Sequence, residues 1–230
     1  MTLFFEYPKA ARFGRLLPKK KIYEHANAGT KLKQLFVDQV DQIVWAYKLA
    51  SETTNLAAVG GVPEIQVFEI KLRGSELDEE ILRAIDRSIP FPLIFELLKN
   101  GERMLAAAYK RPSETESTKW VVSEYFKTAW ESDDNARDPL PRVLDLGALY
   151  NQVLTRLMPV EAKEGEKLPQ RVARIESIRE KERDIARIKA RLAREKQFNK
   201  KVAINAELRE AAAELKRLDG GVKSDIVYVT

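Results

Sequence analysis

Glu69 and Lys71 stand two residues apart in the run Glu64-Ile-Gln-Val-Phe-Glu-Ile-Lys-Leu-Arg73, whose β-branched and aromatic residues read as a strand. Side chains alternate along a strand, so this pair shares one face. A carboxylate there can hold Mg²⁺ while an ammonium stabilises an attacking hydroxide or a phosphate, the chemistry of metal-assisted phosphodiester hydrolysis. Such a site also needs an upstream acid on an adjoining strand. Asp41 is the nearest candidate, and no proline precedes it. The same residues are equally able to form a solvated cross-strand ion pair.

What the chain lacks narrows the other chemistries. It contains no cysteine, which removes disulfides, thiol nucleophiles and cysteine-based zinc sites. His25 is the only histidine, so no two-histidine metal site exists and a Ser-His-Asp triad would have to run through this residue. Its neighbours Tyr23, Glu24 and Asn27 mark it as an ordinary surface residue before a helix. Neither G-x-x-x-x-G-K-[ST] nor G-x-G-x-x-G occurs, and no cofactor is expected. No apolar run approaches the roughly 18 residues of a membrane span, and the first residues lack the apolar region of a signal peptide. The expectation is a cytoplasmic protein with no membrane contact.

Two basic stretches suit nucleic acid. Arg12, Arg15, Lys19, Lys20 and Lys21 are interleaved with Phe13, Leu16, Leu17, Ile22 and Tyr23, a pattern able to touch phosphates and bases, although short lysine runs are more often plain surface. Residues 171–201, among them Arg187, Arg191 and Arg194, form the second and would follow phosphates as a rod; a solvated coiled-coil face is the alternative. The net charge of +5 is compatible with either.

These groups have to be positioned by elements. Thr30 can cap a helix with Leu32, Leu35, Phe36 and Val40 on one face, followed by a strand from near Ile43. Ser51 to Pro63 reads as a loop, and the Glu64–Arg73 strand follows. Ser75-Glu-Leu-Asp78 resembles a capping box for a helix that Pro90 stops. Leu93–Leu98 and Met104–Tyr109 are strands joined by Asn100-Gly101, a pair suited to the positive φ angles of a type I′ turn. Trp120–Trp130 is a further strand and 131–141 a loop. Asp145 caps a helix carrying Leu146, Leu149, Tyr150, Val153, Leu154 and Leu157. The fold class is therefore α+β, a mixed β-sheet with packed helices over residues 1–160. A linker at 161–169, a helical extension at 170–219 and a β-prone tail at 220–230 complete the chain.

The extension has no Pro or Gly and is rich in Ala, Glu, Lys, Arg and Leu, the strongest helix formers. Ile178, Ile185, Ile188 and Leu192 follow one heptad phase, and Ile204, Leu208, Ala211, Leu215 and Leu218 another. The break near Phe198 implies a stutter in a single rod or a turn between antiparallel helices. So narrow a seam needs company in water. Ile185, Ile188, Leu192, Phe198, Ile204, Leu208, Leu215 and Leu218 would meet a second copy in a homodimer, a partner protein, their own other half or the globular domain.

Five segments together resemble a bacterial domain-of-unknown-function family, number 4391, over nearly the whole chain. They are Leu17-Pro18-Lys19 with Ile22-Tyr23; Val40, Ile43, Trp45 and Lys48-Leu49; Glu64-Ile-Gln-Val-Phe68; Ile89-Pro-Phe-Pro92; and Glu195-Lys-Gln-Phe-Asn199 with Val202 and Asn205. Members of that family are often encoded beside helicases and DNA methyltransferases in restriction-like or phage-defence clusters. The resemblance implies an accessory role with such a partner and assigns no residue a function. Glu69-Ile70-Lys71 separately resembles the E-x-K element of PD-(D/E)xK nucleases. The expected function is a non-catalytic accessory or scaffold subunit that binds partner proteins. The alternatives are a Mg²⁺-dependent nuclease using Asp41, Glu69 and Lys71, and a protein that binds DNA directly through its two basic stretches.

Overall fold

The structure is a computed structural model that describes residues 3–59, 61–113 and 120–219. The chain divides into two units, Met1–Pro159 and Val160–Thr230.

In the first unit the elements run β1 (Phe5–Glu6), β2 (Arg12–Leu16), α1 (Lys19–His25), α2 (Thr30–Gln39), β3 (Val40–Ala50), α3 (Ser51–Thr54), β4 (Glu64–Leu72), α4 (Glu79–Ser88), β5 (Leu93–Lys99), β6 (Glu102–Pro112), β7 (Trp120–Lys127), β8 (Glu131–Ser132), β9 (Asp138–Pro139) and α5 (Leu146–Leu157). The main sheet has the order β2-β3-β4-β5-β6-β7, with β8 also paired to β6, while β1 and β9 form a separate ribbon. Within the main sheet every pairing is antiparallel except β4–β5. A parallel neighbour requires a crossover, and α4 supplies it. The mixed α+β class read from the sequence is the class observed.

Alternation sorts the β4 side chains onto two faces. Phe68, Ile70 and Leu72 enter a core shared with Phe36, Ile81 and Ile85 of the helices, while Glu69 and Lys71 point the other way. Tyr150 of α5 reaches the sheet, its hydroxyl donating to the Ala108 carbonyl. The β5–β6 turn is as expected: Asn100 and Gly101 have φ of 46° and 78°, the signature of type I′.

Some local expectations are corrected. The helix α4 is capped by Asp78, whose carboxylate accepts from Glu80 N at 2.9 Å, and not at Ser75. Gln39 Oε1 accepts from Asp78 N at 2.6 Å, so a contact from α2 fixes where the chain enters the helix. The strand β3 starts at Val40, directly off α2, because buried Val40 takes extended angles there. The proline-punctuated N-terminus still forms α1, and the stretch read as a loop contains β8 and β9.

The second unit contains α6 (Leu168–Arg194) and α7 (Phe198–Asp219). Pro169 lies in the first turn of α6, where its missing N–H would have had no partner anyway. The seam phases meet in a turn, and the helices pair as a hairpin. Lys181 bridges Glu214 at 2.7 Å and Arg191 pairs with Glu207, which is antiparallel register. Glu195 closes the turn by accepting from Lys196 N and Gln197 N, both at 2.8 Å. The single projecting rod is thereby excluded. The expected glycine cap at Gly220 and the β-prone tail lie outside the described residues.

Before α6 the chain is tied by Glu166, which accepts from Arg174 Nε at 2.6 Å and Nη2 at 2.7 Å. Arg174 is the main reason that this carboxyl is held down at about 2. Its folded pKa lies below the unfolded value of about 4.3, so the stabilisation is complete above that value and is lost as the pH falls through the folded one. Glu166→Gln is expected to lower the stability of this helical unit at neutral pH. The gap from wild type, followed by far-UV circular dichroism, should close between about pH 4 and pH 2.

Candidate functional site

The face of β4 opposite the main core carries a polar cluster drawn from distant segments. Glu69 is directly opposite Glu96 on the neighbouring parallel strand. Glu96 is fully buried, and Arg137, just before β9, grips both its oxygens, Nη1 to Oε1 at 2.9 Å and Nη2 to Oε2 at 2.7 Å. Arg137 also donates to the Phe5 carbonyl at 3.3 Å, which ties β1 to the cluster. The buried Tyr7 hydroxyl lies by Glu96 without closing a hydrogen bond of ordinary geometry. Burial first, then Glu96, hold this phenol well above its usual range. The Tyr7 and Tyr47 rings lie 4.5 Å apart.

Burial and then the neighbouring Glu96 raise the Glu69 carboxyl above the ordinary glutamate range, against an opposing pull from Arg137. Two carboxyls and one guanidinium therefore share a partly dry space, and Glu69 is the member placed to take up or release a proton. A raised folded pKa means that its favourable contribution belongs to low pH and is lost as the pH rises through that value. Glu69→Gln is expected to stabilise the first unit at neutral pH, with no advantage in acid. Urea unfolding followed by tryptophan fluorescence at both pH values checks this, and equal effects at the two would contradict it.

The two other residues of the suggested hydrolytic set meet each other. Asp41, the extra residue at a register shift in β3, lies 3.9 Å from Lys71 Nζ and 3.6 Å from Arg73 Nη2. Lys71 and Asp41 are both exposed, which limits the pair to about 0–1 kcal/mol. Among the described residues no group of three His, Cys, Asp or Glu is placed to hold a metal.

The basic stretches are divided by the fold. Lys19 turns inward, donating to Phe36 O at 3.0 Å and also to Val40 O, and so caps the C-terminal end of α2. Burial, followed by the charge of Arg73, lowers its pKa. Arg15 lies over the Phe13 ring at 4.6 Å, whereas Lys20 and Lys21 are exposed. On the hairpin, Arg187 pairs with Asp184 and Arg191 with Glu207. Arg194, Lys196, Lys200 and Lys201 are exposed around the turn, beside Phe198 with 77% of its surface accessible.

Among the expected interface residues, Ile188 and Ile204 are buried. Ile185, Leu192, Leu208, Leu215 and Leu218 are only half-buried. Reading by motif missed Glu96, Arg137, Tyr7 and Tyr47. The lone glutamate within the apolar run Leu93-Ile-Phe-Glu-Leu-Leu98 was the available signal for Glu96, since a charge buried in a strand needs a partner.

No curated protein and no solved structure matches the chain. Residues 5–215 match the family model described as Domain of unknown function (DUF4391). The match spans most of both units, and the chain belongs to that family.

Proposed function

We propose that this protein is a non-catalytic accessory subunit of a bacterial DNA restriction or phage-defence system, acting in the cytoplasm, and that its α6–α7 hairpin binds a partner protein. One observation carries the reading: five seam residues remain half-exposed after the two helices have paired. A two-helix hairpin covers only part of such a stripe, and a further helix is the element that fits it.

Charge favours a different chain over a second copy. Helix α6 carries nine Lys and Arg against four Asp and Glu, and a homodimer would set this excess against itself. The gene neighbourhood implied by the family resemblance supplies the partner class, a helicase or a DNA methyltransferase. The basic turn around Phe198 suits contact with the DNA on which such a partner acts, an attachment that weakens steeply with salt.

The test is co-expression of the full chain with the helicase or methyltransferase encoded beside it, then light scattering on the purified material. A stoichiometric complex that Leu208→Glu with Leu215→Glu abolishes is the expected result. A monomer that retains neither protein, or a homodimer through the seam, overturns the reading.

A second reading rests on Asp41 and Lys71, brought together across neighbouring strands with Glu69 on the same face as Lys71. As a Mg²⁺-dependent nuclease the protein, alone or with its partners, cleaves DNA, and Glu69→Ala and Lys71→Ala each abolish cleavage while leaving the fold intact. Equal cleavage by wild type and both variants, or none by the assembled complex, removes this reading.

A further inference from the structure

The first unit contains a cavity of about 240 Å³ on the helical side of the sheet, away from the Glu69 cluster. It lies where α1 and the end of α4 cover the start of β4. By volume it exceeds the roughly 150 Å³ apolar cavity that suffices to bind benzene.

The lining has a definite chemical pattern. Trp45, Phe68, Ile85, Ile89 and Phe91 contribute apolar walls. Trp45 and Phe68 are stacked, with ring centroids 6.0 Å apart and planes 23° apart, so one wall is built from flat rings. Phe68 is buried and backs this wall, so half-buried Trp45 is the ring that a planar ligand meets in offset stacking.

The polar groups are few and separated. Gln66 lines the cavity and is only 3% exposed. Its amide nitrogen donates to Glu64, while its side-chain oxygen accepts from no group among the described residues. That oxygen is free to accept from a ligand that supplies a donor. Lys21 and His25 are one helical turn apart on α1, both exposed and both lining the cavity, which places them at its rim. Neither side chain has an ion-pair or hydrogen-bond partner among the described residues. Apolar walls, one free acceptor and a lysine with a histidine at the mouth form a site of the usual kind for a small ligand.

We infer that this cavity binds a planar aromatic carboxylate about the size of an indole acid. The ring packs on Trp45, which Phe68 backs, a ring N–H donates to the Gln66 side-chain oxygen, and the carboxylate reaches Lys21, with His25 beside it. This site is independent of the hairpin seam, and its test does not require the partner protein.

Isothermal titration calorimetry on the full chain provides the measurement, with indole-3-acetate as the probe and neutral 3-methylindole as the control. Saturable binding of the acid is expected, with about tenfold weaker binding of the neutral ring and a similar loss in Lys21→Glu, the scale of one ion pair reversed near the surface. Ser88→Leu, which fills the cavity from the end of α4, should abolish binding. Lys21 is exposed, so Lys21→Glu keeps the test decisive even if Ser88→Leu fails to fold. Absence of binding at millimolar probe overturns the inference. Equal affinity for acid and neutral ring, or undiminished binding by Lys21→Glu, overturns it as well.

Discussion

Lys110→Met is expected to remove about 3–5 kcal/mol from the stability of the first unit, because it leaves a buried charge without its partner. The Lys110 and Asp86 side chains are 0% and 3% exposed and lie 3.3 Å apart. The ammonium also donates to the carbonyls of Asp86 and Ile89, which fastens the end of α4 to the middle of the sheet. Tyr125 completes the group by donating to Asp86 Oδ2 at 2.5 Å. Without the amine, Asp86 keeps this one side-chain donor and two carbonyls at the end of the helix lose theirs. Burial already pushes the Asp86 carboxyl up, and loss of the cation pushes it further. A raised folded pKa favours the folded state at low pH, so the deficit should shrink as the pH falls. The three tryptophans, Trp45, Trp120 and Trp130, all lie in the first unit, so their fluorescence reads this unit alone. A drop in Tm of about 10 °C is the expected scale for a unit of this size. Replacing the whole group, with Asp86→Leu, Lys110→Met and Tyr125→Phe together, should recover much of the loss. A triple variant no better than Lys110→Met would show that the carbonyl contacts carry most of the energy.

What the sequence made legible is what short-range physics determines. The Asn100-Gly101 turn, the α5 cap at Asp145 and the alternation along β4 each depend on a few adjacent residues. They appear in the structure where the sequence placed them. Contacts between distant segments were less accessible. Ser75 and Asp78 are both competent caps, and the choice between them is made by Gln39 from a different helix. Lys19 belonged by type to a basic cluster, yet the end of α2 takes it out of that cluster. In the C-terminal region the phase break was plain, but spacing alone allowed a rod or a hairpin. Cross-helix ion pairs and the Glu195 turn decide for the hairpin. The candidate site followed the same rule: Glu69 and Lys71 were visible as a local spacing. Its strongest interaction joins Glu96 to Arg137, 41 residues further along, where no sequence period operates.

Arg137→Met is the other large expected effect, again about 3–5 kcal/mol at neutral pH. It leaves Glu96, fully buried, facing Glu69 across the β4–β5 pairing with no cation between them. Glu69, whose carboxyl burial and Glu96 already raise, loses the opposing pull of Arg137, so this variant should become more stable relative to wild type as the pH is lowered. Glu96→Gln is expected to cost less. It removes the like-charge neighbour that raises Glu69, and it leaves behind a guanidinium whose side chain is 26% exposed, so that water can replace part of what is lost. The order of these two single variants tests whether the face opposite the core is governed by a surplus of buried negative charge. Arg137→Met well below Glu96→Gln at neutral pH, with the difference narrowing in acid, is the outcome required by that surplus. Equal costs at all pH values would mean that the pair acts only as a symmetric clamp on the ribbon, with Glu69 outside its influence. Glu69→Gln added to Arg137→Met gives the independent check. If the two carboxyls are coupled as their register implies, it should restore more stability at neutral pH than the same substitution adds to the wild type, and little in acid, whereas uncoupled carboxyls leave the two substitutions additive.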